Sequence, residues 1–329
     1  MTVEPVRRPV ITSTGILIAV LVLFAALGLW LHGNVFGAAR LATAATVFCA
    51  IFVQALPFLV LGVLLSGLIA AYVSPERLAR WLPRRPGAAV LAAGLAGAAL
   101  PGCECGSVPA ARRLFGDGAA GPAALAFMLS APAINPVVLV ATSVAFPGHP
   151  AMVAARLIAS LLTALIMGVL WSRWGRPSWI TRTLPDAHRH GSGSRWTVFG
   201  EAARHDFLQA ASYLVIGAAT AALLQAMMPP WVFEHLAGHL ILGVVSMAAL
   251  AFVLALCSEA DAFVVASLTM VPLVPRLVFL VVGPAVDLKL VAMQTGMFGR
   301  AFTLRFAPVT LLVATTVGTA VGVLLLGGP

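Results

Sequence analysis

The chain has 329 residues, 61% of them hydrophobic and only 9% charged, with a mean hydropathy of +1.02. That composition excludes a soluble globular domain and places the chain among polytopic membrane proteins. Its net charge of +9 comes without a basic stripe interleaved with aromatics, which excludes nucleic acid as a partner.

In chain order, apolar runs of spanning length, roughly 20 residues, lie near 12–32, 43–72, 121–146, 151–171, 207–228, 275–298 and 304–327. The first lacks a clear small-residue cleavage site and reads as a membrane helix rather than a signal peptide. Two further runs, 87–111 and 238–271, are apolar but contain polar breaks. Residues 172–206 hold six Arg, three acids, three His and a Gly-Ser-Gly-Ser stretch. They read as a hydrophilic, cytoplasmic linker. The chain thus divides into a tail and first helix (1–42), a first half (43–171), the linker, and a second half (207–329).

Arginine placement separates two topologies. If every run crosses once, the 19 Arg divide about evenly between the two sides. If both broken runs return to the side they came from, all but Arg40, Arg156 and Arg276 fall on the N-terminal side. The positive-inside rule favours the second arrangement and a cytoplasmic N-terminus. Re-entry of 87–111 alone scores nearly as well, so charge leaves open whether 238–271 re-enters or crosses.

An internal repeat bears on the same question. Ala131-Pro-Ala-Ile-Asn135 recurs as Gly283-Pro-Ala-Val-Asp287, and Cys105 matches Cys257 at the same offset of 152. Leu59-Val-Leu-Gly62 resembles Leu214-Val-Ile-Gly217, and Glu76-Arg-Leu-Ala-Arg-Trp-Leu82 resembles Glu234-His-Leu-Ala-Gly-His-Leu240. Each half then reads as helix, broken hairpin, helix, helix. Three crossings per half is odd, so the halves have opposite orientations, as in many secondary transporters. The expected fold is an all-α polytopic membrane protein: an inverted-repeat, transporter-like bundle with about seven spanning helices plus two broken or re-entrant segments.

Residues 101–109, Pro-Gly-Cys-Glu-Cys-Gly-Ser-Val-Pro, interrupt an apolar run with helix breakers, thiols and a carboxylate. Such a break survives in a bilayer only where protein or a water-filled cavity surrounds it. Pro101, Gly102 and Pro109 here, and Pro132, Pro136 and Pro284 later, are expected to kink or open helices and free backbone carbonyls. Gly94, Gly97, Gly102 and Gly106 permit close helix approach and belong to no phosphate loop.

Four acids, Glu104, Glu259, Asp261 and Asp287, fall within apolar segments, as does Lys289, the one lysine. Each charge costs about 2.5–3.5 kcal/mol if unpaired at the membrane centre. Lys289 paired with Glu259 or Asp261 would relieve both costs, whereas Asp287 and Lys289, two apart, would not face each other on a regular helix. A desolvated carboxylate here serves either as a proton carrier for coupled transport or as half of a static ion pair. Asp287 occupies the repeat position of Asn135, so one half is titratable there and the other neutral.

Cys103, Cys105 and Cys257 offer soft ligands suited to Cu(I), Zn(II) or another thiophilic centre; Cys49, alone in an apolar helix, reads as an ordinary buried hydrophobe. The Cys-x-Cys spacing is not that of thiol–disulfide oxidoreductases, and no disulfide framework follows from four cysteines at these spacings. His235 and His239 are four apart but lack the glutamate of a metalloprotease helix, and read as flanking an external loop.

The 101–109 stretch, Phe127-Met-Leu-Ser-Ala-Pro-Ala-Ile-Asn-Pro136 and Leu256-Cys-Ser-Glu-Ala-Asp261 resemble the bacterial predicted-permease family that contains ArsP-type organoarsenical exporters and YraQ-like proteins. The resemblance covers most of 43–325 and implies a permease of the bacterial cytoplasmic membrane, with efflux of trivalent arsenicals as the family's best-attested activity. The leading expectation is therefore a proton-coupled exporter of a thiophilic solute, not an enzyme and without a cofactor. Cys103, Cys105, Cys257, Ser130 and Asn135 would contact the solute; Glu104, Glu259, Asp261, Asp287 and Lys289 would couple ions. The expected partners are that solute, protons, the lipid bilayer and a second copy in a homodimer. Two alternatives stand beside it: a membrane module holding Cu(I) or zinc on the three cysteines, and a permease for a non-thiophilic small anion using Arg112 and Arg113. No nucleotide-binding motif is present, so ATP coupling would need a separate subunit.

Overall fold

The computed structural model describes residues 38–72, 83, 85–99, 104–115, 120–180, 195–227, 240–258, 260–269 and 271–327. The run 12–32, Pro101, Gly102, Cys103, Glu259, His235 and His239, the Glu76 and Glu234 repeat matches and the centre of the linker lie outside them. Among the described residues all regular structure is helical, and six segments are long and apolar enough to span a membrane: Ala42–Leu64, Ala120–Ala145, Pro150–Trp174, Trp196–Leu223, Leu273–Phe298 and Arg300–Leu326. Each overlaps a run predicted above, although Trp196–Leu223 begins well before the run 207–228. The protein is an all-α polytopic membrane protein.

The first half opens with the 35-residue helix α1 (Ala38–Tyr72). Helix α2 (Pro86–Ala96) starts on a proline that needs no N–H partner and runs into a 3-10 turn at Gly97–Ala99. Helix α3 (Glu104–Leu114) follows with Pro109 inside it. Helices α4 (Ala120–Ile134) and α5 (Pro136–Ala145) are one apolar run interrupted at Asn135. Helix α6 (Pro150–Trp174) closes the half.

The second half begins with α7 (Arg195–Met227) and continues with α8 (Leu240–Leu254) and the short α9 (Asp261–Ser267). Then come α10 (Leu273–Ala285) and α11 (Leu288–Phe298), divided at Val286 and Asp287, and α12 (Arg300–Leu326).

The two interruptions are built alike. A proline stands three residues before each cap, Pro132 inside α4 and Pro284 inside α10. The backbone then turns extended, at Asn135 (φ −67°, ψ 155°) and at Asp287 (φ −140°, ψ 173°). In each case the side chain re-starts a helix by accepting the amide N–H three residues on, Val138 for Asn135 and Leu290 for Asp287.

Packing follows a matching pattern. α4 lies against α2 and α6, as α10 lies against α8 and α12; α1 runs along α7, and α6 along α12. The second broken piece of each half packs on the capped piece of the other, α3 on α11 and α9 on α5. Two glycines permit close approach between helices: a Cβ at Gly62 of α1 would overlap the Gly106 backbone, and one at Gly217 of α7 would lie 2.7 Å from Lys289 Cα.

One boundary differs from expectation. Helix α7 begins at Arg195, so the last part of the stretch 172–206 is helix, not linker. Glu201 and Arg204 are exposed on its outer turns, while Asp206 is buried against Arg113. Polarity there reflects a solvated helix face and one ion pair, and nothing in 195–206 breaks a helix.

A buried charged centre where the broken elements meet

The first turn of α3, the break after α8, the start of α9 and the cap of α11 bring their polar residues together inside the bundle. Glu104 is fully buried, and its Oε1 accepts a hydrogen bond from the Ser258 hydroxyl at 2.7 Å. Its Oε2 has no hydrogen-bond partner and faces Lys289 Nζ at 3.7 Å. On its other side Lys289 Nζ lies 3.7 Å from Asp287 Oδ2, which also has no hydrogen-bond partner. Asp287 Oδ1 is held by the Leu290 N–H.

A second group adjoins the first through Ser258. Arg156 Nη2 donates to both oxygens of Asp261 (3.0 and 2.8 Å) and to the Ser258 carbonyl (3.0 Å); Nη1 donates to Thr142 Oγ1 at 2.7 Å. Thr142 in turn donates to the Val138 carbonyl. The result is a continuous polar chain from α5 through α6, the 258 break and α3 to α11. The Arg156–Asp261 pair is neutral. Glu104, Lys289 and Asp287 sum to one negative charge when both acids are ionised.

The pairing corrects the sequence expectation in two respects. Asp261 pairs with Arg156, not with Lys289. Lys289 faces Asp287 after all, because Asp287 sits at an extended cap instead of on a regular helix turn, so residues two apart converge. Arg156, counted in the sequence on the side opposite the N-terminus, is enclosed within the bundle at 0% exposed. Nothing but its presence as a single arginine inside the run 151–171 signalled this. Ser258, the joint between the two groups, was hidden between Cys257 and Glu259.

The chain leaves α8 through Ala255, whose φ of 47° is in the left-handed region, an uncommon conformation for a residue with a side chain. It then turns so that the Cys257 carbonyl accepts the N–H groups of Ala260 and Asp261 (2.9 and 3.0 Å), which launches α9. This turn delivers Cys257 and Ser258 to the centre. Cys105 and Cys257 are buried thiols in one core cluster, neither in a disulfide and both within electrostatic reach of the Lys289 ammonium. Cys49, expected to be buried, is exposed on α1 among the described residues. Among the described residues no group of three His, Cys, Asp or Glu side chains is arranged to hold a metal ion.

The remaining candidates serve the frame around the centre. Ser130 donates to the Phe127 carbonyl at 3.2 Å and packs against Gly97. Asn135 donates to the Ala131 carbonyl at 3.1 Å while capping α5. Pro109, Pro132 and Pro284 are buried inside α3, α4 and α10, and Pro136 opens α5. Arg112 donates to the Met297 carbonyl at 2.8 Å and lies 5.7 Å over the Phe298 ring. Arg113 grips Asp206 with two 2.9 Å hydrogen bonds. These two arginines tie the end of α3 to α11 and α7.

Comparison with known proteins agrees with this architecture. The sequence profile of a family described as "Predicted permease" matches residues 40–323. The chain is 37% identical over 264 residues to the UPF0718 protein YcgR of Bacillus subtilis, covering 78% of this chain and 89% of that one. It is 31% identical over 284 residues to a Streptococcus mutans protein named "Putative two-component membrane permease complex subunit", covering 84% and 94%. No solved structure matches. With six apolar helices around a buried charged centre and a profile match over most of its length, the chain belongs to the predicted-permease family of multi-pass membrane proteins.

Proposed function

We propose that this permease is a proton-coupled exporter of a thiophilic solute, such as a trivalent organoarsenical, and that the solute passes the centre formed by Glu104, Cys105, Cys257, Ser258, Asp287 and Lys289. One observation carries the reading: two buried thiols and two carboxylate oxygens without hydrogen bonds, from three separate chain segments, lie within electrostatic reach of one buried ammonium. Soft donors suit a thiophilic centre. Orphaned buried carboxylate oxygens suit a site that takes and releases a proton.

The chemistry is simple. A trivalent arsenical bearing a hydroxyl exchanges it for a thiol sulfur: an As–S bond forms, an As–O bond breaks, and the hydroxyl leaves as water with the thiol proton. A proton arriving on Glu104 or Asp287 removes one carboxylate from the pair facing Lys289 and frees the ammonium to move toward the other. One or two thiols engaged at a time let the solute leave again. The chain acts as a transporter, not as an enzyme.

The architecture proposed for this cycle is a pair of inverted halves, 43–171 and 207–329. It is supported by the repeat of the Pro-Ala-(Ile/Val)-(Asn/Asp) cap and by the matched packing of α2, α4 and α6 with α8, α10 and α12. The N-terminus lies in the cytoplasm of a bacterial cell. The Streptococcus relative is named as a subunit of a two-component complex. We extend that to this chain, with a second membrane subunit beside, or in place of, a homodimer.

The test is accumulation of methylarsenite, arsenite and antimonite in everted membrane vesicles, with and without an imposed proton gradient. Gradient-dependent uptake is expected, and its loss in the Cys105→Ser/Cys257→Ser double variant with insertion intact. Full transport by that variant would remove the thiols from the mechanism. No uptake of any of the three by folded, inserted protein would sink the thiophilic reading.

A further inference from the structure

Away from the charged centre, α6 and α12 leave a cavity of about 300 Å³ between the end of one and the beginning of the other, at the small end of ligand-site volumes. Leu170, Trp171, Trp174, Trp179, Phe306 and Val309 line it, and its wall presents almost no polar surface. The aromatic side is rigid: Trp171 packs edge-on against Trp179, Phe302 and Phe306 with centroids 5.9, 5.3 and 6.4 Å away. The one charged lining residue is Arg305, which is exposed, lies 4.8 Å over the Trp179 ring and donates to the Ala301 carbonyl.

The surrounding charge identifies the occupant. Segments 167–180 and 300–309 carry Arg173, Arg176, Arg300 and Arg305, all exposed, and no acid. The cavity sits where the candidate spans Pro150–Trp174 and Arg300–Leu326 end and begin, so it opens at the level of a membrane–water interface, where tryptophans gather. A dry aromatic slot alone would suit any acyl chain. A slot whose lining segments carry four exposed arginines and no acid suits the chain of a lipid whose headgroup is anionic.

We propose that this cavity binds one acyl chain of an anionic phospholipid, with the lipid phosphate held by Arg305 and Arg176. The site is independent of the solute centre, so either reading can fail without the other. The test is native mass spectrometry of the full chain after exposure to equal amounts of phosphatidylglycerol and phosphatidylcholine in detergent. Preferential retention of phosphatidylglycerol is expected. Arg305→Gln should lower it about fivefold, the factor one basic residue contributes at an anionic surface, and leave phosphatidylcholine unchanged. Val309→Trp, which fills the slot, should lower retention of both. Leu312→Trp, on an exposed face of α12, should lower neither. Equal retention of the two lipids by the wild type would overturn the proposal, as would unchanged retention in both Arg305→Gln and Val309→Trp. Displacement of the lipid by millimolar inorganic phosphate would also overturn it, because the site would then recognise a free anion.

Discussion

Arg156 and Asp261 face each other across the bundle at 2.8 Å with both side chains almost wholly enclosed. Taking two charges out of water is costly, and a buried pair of this kind adds little net stability. Breaking it is another matter. Asp261→Asn would leave the guanidinium buried without its counter-charge, and such a loss costs about 3–5 kcal/mol. A clearly lowered unfolding temperature in detergent is expected for Asp261→Asn, with most of the loss recovered in the Arg156→Leu/Asp261→Leu double variant. Recovery failing to occur would mean that Arg156 holds the Ser258 carbonyl and Thr142 for reasons beyond neutralising Asp261. The acids themselves were legible in the sequence, because charge in an apolar run stands out. Their partners were not. Which cation meets which carboxylate depends on tertiary packing: α9 lies on α5 and α10, which brings Asp261 to an arginine 105 residues earlier in the chain.

At the scale of elements, the interruptions at Asn135 and Asp287 do different work with one geometry. Both cap a helix, but only Asp287 carries a charge, and its second oxygen points at Lys289. Asp287→Asn keeps an acceptor for the Leu290 N–H, so α11 should form as before, while the proton-driven component of uptake is lost and solute exchange down its own gradient survives. Asp287→Ala also removes the cap and should cost about 1 kcal/mol of stability in addition. Identical melting behaviour of the two variants would show that the cap contributes nothing. These breaks were readable in advance, because proline followed by Asn or Asp is local chemistry. The reversal of the Asp287–Lys289 expectation came from treating the break as a kink in a continuing helix, when the chain fully unwinds for two residues.

For the whole molecule, the apolar runs foretold all six described spans, since hydropathy over 20 residues reports directly on burial in lipid. Helix α7 starts inside the hydrophilic stretch 172–206, because a polar helix end and a polar linker have the same composition. The Arg156–Asp261 pair then has a consequence for how the chain is made. The two residues are 105 positions apart, and α6 is synthesised first. At about 5–20 residues per second, translation takes roughly 5–20 seconds to deliver Asp261. For that interval a nascent α6 waits at the translocon with an unmatched arginine less than two turns from its start, a deficit below the roughly 2.5–3.5 kcal/mol of the membrane centre if it enters lipid alone. Stalled chains ending near residue 180 should therefore show incomplete lipid integration of α6 by glycosylation mapping, and Arg156→Leu should complete it. Full integration of the stalled wild-type chain would mean that α4 and α5 already shelter the arginine at birth. Otherwise the first half is held back from the bilayer until the second half arrives, and the protein can be committed to the membrane only as a whole.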